Sequence, residues 1–232
     1  MWLETPIQED KGKLVKTDKG TPQGGVVSPL LANIYLHWFD KVFSKNVSKA
    51  KATLVRYADD MVILAKEITK DLVGYIEGLL ERWMGLEVNR EKTKVVNLKQ
   101  PGEELNFLGY RFRRFFSEKT KQNYCHMACS TGAEKRARLR IRERLSLQRN
   151  HQSTDDTVKS LNKFLVGWGA YFCKGYPSKS FGKINHYVNK RMIANLKRRS
   201  QRGYRTLKGR KWTEILEGLG VFQLRKGYYS HA

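Results

Sequence analysis

The chain has 232 residues, 40% of them hydrophobic, and a formal net charge of +23, so it can bury one sizeable core or two small ones, and two modest domains are expected. No stretch approaches the ~18–20 consecutive apolar residues of a membrane span, and the first residues lack a basic-then-apolar secretion signal. The expectation is an intracellular protein, cytoplasmic or organellar, neither secreted nor membrane-bound.

The charge is unevenly spread. Residues 1–130 hold 21 Lys and Arg against 16 Asp and Glu, whereas residues 131–232 hold 24 against 6, a net of +18. Such a field attracts phosphate backbones, and the change of character after Ser130 sets an expected domain boundary at 130/131. Cys125, Cys129 and Cys173 cannot all pair, which suits a reducing compartment. Cys125-His126-Met127-Ala128-Cys129 lacks a second ligand pair at zinc-binding spacing and reads as ordinary strand.

Ser28-Pro29 followed by Leu30, Leu31, Ile34, Tyr35, Trp38, Phe39 and Val42 predicts a helix over 29–43 with one apolar stripe. Residues 53–57 and 61–65 are β-rich runs separated by Ala58-Asp59-Asp60, a hairpin with an acidic tip. Thr69 then caps a helix with Leu72, Val73, Ile76, Leu79, Leu80 and Trp83 on its apolar side, closed by Gly85. Strands are predicted over 94–98 and 105–116, the second turning at 117–121 and returning through 123–129. This order describes an α+β layer with an antiparallel sheet.

Beyond Ser130 the pattern is helical. Residues 133–149 place Arg136, Arg138, Arg140, Arg142 and Arg144 at every second position, which spreads guanidinium groups over most of a helix circumference. Thr154 reads as the cap of a helix whose Val158, Leu161, Leu165, Trp168 and Phe172 form one face. A further helix over 181–199 turns Phe181, Ile184, Val188, Met192 and Leu196 inward, with Lys183, Lys190, Lys197 and Arg198 outward. The second domain is expected to be an all-α bundle, and Gln201–Lys211 a basic connector. The basic faces, with Tyr187, Tyr204, Trp212, Tyr228 and Tyr229 as stacking platforms, predict RNA binding. Trp168, Tyr171 and Phe172 are assigned to the core.

Adjacent carboxylates at Asp59 and Asp60 repel by roughly 1 kcal/mol when hydrated and about 4 kcal/mol at an effective dielectric of 20, and a divalent cation removes that cost. Alone, an acidic turn needs no metal. Thr21-Pro-Gln-Gly-Gly25 is a loop whose glycines allow close backbone approach and whose Gln23 offers an amide donor.

Gly20-Thr-Pro-Gln-Gly-Gly-Val-Val-Ser-Pro-Leu-Leu-Ala-Asn-Ile-Tyr-Leu-His37, Arg56-Tyr-Ala-Asp-Asp-Met-Val-Ile-Leu64, Glu91-Lys-Thr93 and Phe107-Leu-Gly-Tyr110 resemble four ordered blocks of group II intron reverse transcriptases. Gly167-Trp-Gly-Ala-Tyr-Phe172 is similar to part of that family's maturase-specific thumb domain. The resemblance implies a partial reverse-transcriptase palm over 1–130 and a basic thumb or maturase domain over 131–232. It implies RNA-directed DNA polymerase activity with Mg²⁺, or Mn²⁺, held by Asp59 and Asp60. Gln23 and Gly24 would lie against the incoming nucleotide, and Lys92 would protonate the leaving pyrophosphate. Tyr57 and Ala58 would lie beside the primer terminus, and Phe107, Leu108, Gly109 and Tyr110 would support it. Expected partners are intron RNA, primer and template, and dNTPs; splicing and mobility of the intron would be the setting.

The family also carries a metal-binding Asp on an earlier palm strand, preceded by a fingers region. Met1–Lys19 resemble only the strand and loop adjoining the Gly20 block, and neither Asp10 nor Asp18 sits in a strand pattern. A truncated or split form is therefore expected, inactive alone and partnered by a separate N-terminal reverse-transcriptase fragment. The alternatives are a non-catalytic RNA-binding maturase that acts as a splicing cofactor, or a related enzyme of defence or repair.

Overall fold

The computed structural model describes residues 7–8, 14–15, 25–46, 51–149, 151–199 and 211–229. Its contacts divide the chain into two compact units, 1–95 and 96–232. The mixed α+β expectation holds, with antiparallel sheets in both units and most of the helix in the second.

In the first unit, strands β1 (Ile7–Gln8) and β2 (Leu14–Val15) pair antiparallel. Helix α1 (Ser28–Asn46) follows, then strands β3 (Thr53–Tyr57) and β4 (Asp60–Leu64). The hairpin pairs Leu54 with Ile63 and Arg56 with Met61; Leu54, Met61 and Ile63 pack against the core of Leu36, Phe39, Phe43, Leu72, Leu79, Leu80 and Met84. The apolar stripe read on α1 is wider than its buried face: Leu36, Phe39 and Phe43 are buried, while Leu30, Ile34, Tyr35 and Trp38 are exposed.

Helix α2 (Lys70–Glu77) starts as expected, with the Thr69 hydroxyl accepting from the Leu72 N–H. It then widens into a π-helical segment over Gly78–Trp83. The wider turn shifts the angular phase and carries Trp83 out of the expected apolar face: it is exposed and stacks on Trp38 with centroids 6.0 Å apart. Gly85, at φ +61°, ends the segment.

The strand expected over 94–98 is not formed. Asn97 makes a turn instead, its side chain accepting from the Lys99 N–H (3.0 Å) and its carbonyl from the Gln100 N–H (3.0 Å), a local alternative that competes with a ladder.

The second unit begins with a three-stranded antiparallel sheet, β5 (Leu105–Phe107), β6 (Tyr110–Ser117) and β7 (Gln122–Cys129), in that order. The single strand expected over 105–116 is broken by a two-residue turn in which Leu108 and Gly109 have φ +49° and +79°, as a tight hairpin of primed type requires.

Helix α3 (Thr131–Arg144) is capped by Ser130 and is shorter than the 133–149 expected, with a 3₁₀ turn over Leu147–Arg149. Helix α4 (Thr154–Phe172) is capped by Ser153, whose hydroxyl accepts from the Asp156 N–H; Thr154, expected as the cap, is its first helical residue. Helix α5 (Ser178–Arg198) buries Phe181, Ile184, Val188, Met192 and Leu196, the face read from the sequence. Helix α6 (Trp212–Gly218) adds Leu216 to the same core, and Val221, Leu224 and Tyr229 close it. Among the described residues no helix is long and apolar enough to cross a membrane.

Candidate active site and nucleic-acid interface

The acidic tip is tighter than its sequence suggested. Tyr57 pairs with Asp60 in the ladder, so the turn consists of Ala58 and Asp59 alone, with Ala58 at φ +54°. Paired residues project to one face of a hairpin, so Tyr57 and Asp60 lie together while Asp59 sits at the bend. All four of Tyr57, Ala58, Asp59 and Asp60 are exposed.

Arg56 holds this bend. Its Nε and Nη2 donate to the Oδ1 and Oδ2 of Asp40 on α1 at 2.9 and 2.5 Å, and its Nη1 donates to Asn33 Oδ1 and to the Ala58 carbonyl at 2.9 Å each. The carboxylate bonds raise the Arg56 pKa from its usual value, so a permanent cation pins the turn to the helix. Sequence reasoning missed this role. The available signal was strand alternation: Arg56 shares the inward face with Leu54, and an inward guanidinium requires acceptors.

Among the described residues, neither Asp59 nor Asp60 takes a hydrogen bond or ion pair, and no group of three or more His, Cys, Asp or Glu residues converges on a metal-binding geometry. The two carboxylates are hard oxygen donors of the kind Mg²⁺ prefers and fit as part of its ligand set. Lys92 lies on a separate turn, its backbone N–H donating to the Asn89 carbonyl and side chain, and its ammonium is exposed. Gln23 and Gly24 lie outside the described residues.

In the second unit Phe107 and Tyr110 flank the Leu108-Gly109 turn as the last rung of β5 and β6. The Tyr110 hydroxyl donates to the Tyr171 carbonyl, and the Tyr171 hydroxyl donates to the Leu108 carbonyl at 2.9 Å. Burial pushes the Tyr110 phenol up to about 12, so it remains a donor at neutral pH. Tyr171 is exposed, contrary to its assignment to the core, whereas Phe172 is buried as expected and Trp168 packs against the same cluster.

The α3 arginines separate into two sets. Ala133, Ala137, Ile141 and Leu145 bury one face, and Arg138 and Arg144 flank it, lying over the rings of Tyr187 (5.7 Å) and Phe164 (4.7 Å). The two remain half-buried, while Arg136, Arg140 and Arg142 are exposed. An every-second-residue pattern cannot keep all five on the solvent side of a helix with 3.6 residues per turn. Lys190, Lys197 and Arg198 are exposed on α5, with Lys197 over Trp212 at 5.4 Å. Tyr228 is exposed; Tyr229 is buried and therefore no stacking platform. Tyr204 and residues 201–210 of the connector lie outside the described residues. Lys183, expected to face solvent, is exposed but donates to the buried Glu134 at 3.2 Å.

The first unit thus presents an acidic bend whose carboxylates have no partner among the described residues, and the second a cationic, ring-studded helical surface. Residues 1–112 match the reverse transcriptase (RNA-dependent DNA polymerase) family, and residues 134–213 match the group II intron, maturase-specific domain. The chain is similar to group II intron-encoded protein LtrA of Lactococcus lactis subsp. cremoris, at 30% identity over 42% of this chain and 26% of LtrA. It is also similar to protein YkfC of Escherichia coli strain K12, at 29% identity over 45% of this chain and 35% of YkfC. The matched region thus spans about a quarter to a third of the length of these curated relatives. The chain belongs to the group II intron reverse transcriptase and maturase family.

Proposed function

We propose that the chain supplies the carboxylate-bearing part of a reverse-transcriptase palm within residues 1–130 and an RNA-gripping maturase domain within 131–232, acting in RNA-directed DNA synthesis and in splicing of the intron. The observation that carries this is the Tyr57–Asp60 bend, held through its Ala58 carbonyl by Arg56 and carrying two exposed carboxylates that take no partner among the described residues, in a chain with both family matches.

Asp59 and Asp60 would hold Mg²⁺, or Mn²⁺ in its place. When bound, such ions lower the charge on the triphosphate, activate the primer hydroxyl and clamp both oxygens of an in-line displacement. Tyr57 and Ala58 would border the primer terminus and Phe107–Tyr110 support it. Gln23 and Gly24 would lie against the incoming dNTP, and Lys92 would protonate the departing pyrophosphate. Arg136, Arg140, Arg142, Lys190, Lys197 and Arg198 would contact RNA phosphates directly. Arg138 and Arg144 would act mainly by holding α3 on Tyr187 and Phe164.

Two carboxylates do not complete a polymerase metal set, so a third acid must come from beyond the described residues, in this chain or in a separate N-terminal reverse-transcriptase fragment. Exposed Val55, Tyr57 and Leu64 on the hairpin, with Ile34 and Trp38 on α1, offer apolar surface suited to further palm. A non-catalytic maturase is the second reading, favoured by the lack of a three-acid cluster among the described residues.

Primer extension on the full-length product decides between them, comparing the parent with Asp59→Asn in Mg²⁺. Loss of extension with RNA affinity retained supports catalysis; equal extension removes Asp59 from the metal set. Intron RNA binding should weaken by roughly 0.7–0.9 log units per phosphate contact for each log unit of salt. A flat salt titration contradicts the RNA-gripping role.

A further inference from the structure

One face of the β6–β7 ladder carries a group of rings that the proposed function leaves unused. Phe115 pairs with Tyr124, and Arg113 with His126, across the ladder; with Arg111 they share a face by strand alternation. Phe115 lies 6.2 Å from Tyr124 at 28° and 5.1 Å from His126. Tyr176, ahead of α5, lies flat on His126 with centroids 4.7 Å apart and planes 10° apart, and 5.6 Å from Tyr124.

Backbone contacts preset this arrangement. The Tyr176 N–H donates to the Met127 carbonyl at 2.8 Å, and Gly175 turns the chain at φ +70°, where any Cβ would strike that carbonyl. The rings are assembled but not covered: Phe115, Tyr124 and Tyr176 are 41%, 36% and 49% exposed.

The surroundings are cationic. Arg111 and Arg113 share the single carboxylate of Glu104, while Lys174 and Lys179 flank Tyr176 in the chain and are exposed. Burial first, then Arg111, Arg113 and Lys179, lower the His126 pKa, which disfavours the imidazolium form. Flat rings edged by cations complement a base and its phosphate. A protein partner would meet this excess positive charge with less complementarity than RNA.

We propose that Phe115, Tyr124, His126 and Tyr176 form a stacking platform for unpaired bases of single-stranded RNA, with Arg111, Arg113 and Lys179 facing the phosphates. This rests on the RNA-binding reading above and adds a subsite outside the α3 and α5 basic faces.

The test uses the full chain and a single-stranded RNA of about 12 nucleotides carrying 2-aminopurine. Wild-type protein should quench the fluorophore, and Tyr124→Ala and Tyr176→Ala should each weaken binding about tenfold without changing the salt slope. Tyr176→Trp should restore affinity, and fully paired RNA of the same sequence should be indifferent to all three changes. RNA bound without quenching, or held equally by the alanine variants, overturns the platform while leaving the basic-face reading intact. Equal losses on paired RNA, or on single-stranded DNA alone, overturn it too. A wild-type chain that binds no RNA overturns both readings.

Discussion

Tyr110 and Tyr171 are latched to each other's neighbourhood in both directions: the Tyr110 hydroxyl donates to the Tyr171 carbonyl, and the Tyr171 hydroxyl to the Leu108 carbonyl beside Tyr110. The exchange fixes the Leu108-Gly109 turn to the end of α4, all within one compact unit. Because Tyr171 is exposed, Tyr171→Phe removes one hydrogen bond and little packing. The expected cost is about 0.5–1.5 kcal/mol, read as a lower urea midpoint. If the turn supports the primer end, KM for primed template should rise while kcat stays within about twofold, the pattern of lost ground-state positioning. An unchanged KM would make the latch purely structural.

The hairpin tip depends on Arg56 rather than on its own turn residues. Arg56→Lys keeps the charge but gives up the planar fork that reaches Asp40, Asn33 and the Ala58 carbonyl together. With Arg56 and Asp40 side chains 13% and 28% exposed, the expected loss is about 1–3 kcal/mol. Hydrogen exchange at Tyr57–Asp60 should speed up before global unfolding does. Unaltered exchange there would mean that the bend is held without the guanidinium.

Strand alternation and the Asp59-Asp60 pair between two β-rich runs made the hairpin legible, and 3.6-residue periodicity made the cores of α4 and α5 legible. What failed needed non-local or phase information. The segment 94–98 has strand composition, but Asn97 diverts its backbone into a turn. Trp83 left its expected face because the helix widened before it. The break at Leu108-Gly109 was announced only by one glycine, since nothing in a leucine signals φ +49°. Among the proposed site residues, the acidic pair was singled out by its place in the four resembling blocks, since an acidic turn alone needs no metal, whereas Arg56 was passed over as an ordinary strand arginine. The outward and inward sets on α3 could be separated only once Ala133, Ala137 and Ile141 fixed the buried face.

Glu104 gives the second unit a pH dependence. Its carboxyl lies below the usual range because it accepts from Asn106 and then from Arg113, with Arg111 adding attraction. A depressed folded value means that the unfolded state binds the proton more readily, so this contribution is complete above the ordinary carboxylate value of 4.5 and disappears as pH falls through the lowered one. Glu104→Gln should therefore lower the unfolding temperature at pH 7 and flatten its fall below pH 4.5. Parallel curves for parent and variant across that window would remove Glu104 as the source.

Gly109 meets two demands at once. It holds φ +79°, and a Cβ there would lie 3.2 Å from Cζ of the buried Phe172. Gly109→Ala should cost about 1–2 kcal/mol from the left-handed backbone alone, visible as a lower urea midpoint with an unchanged slope. A neutral outcome would show that the turn can relax to another type.

Gly169 lies against the Tyr229 ring in the helical core with no room for a side chain. A Cβ on Gly169 would collide with the Tyr229 hydroxyl and lie 2.6 Å from Leu224 Cδ2, while that hydroxyl is itself buried without a hydrogen-bond partner among the described residues. Gly169→Ala in mid-helix would ordinarily gain about 1 kcal/mol of propensity; here overpacking should turn this into a net loss of about 1–3 kcal/mol. Tyr229→Phe removes an unsatisfied polar atom and should be neutral or stabilising by about 1 kcal/mol. Combining the two should recover part of the Gly169→Ala loss, because the nearest colliding atom is gone, giving a coupling of at least about 0.5 kcal/mol. Free energies from urea unfolding of the four proteins close this cycle, and strict additivity would mean that the C-terminal segment yields before the ring does.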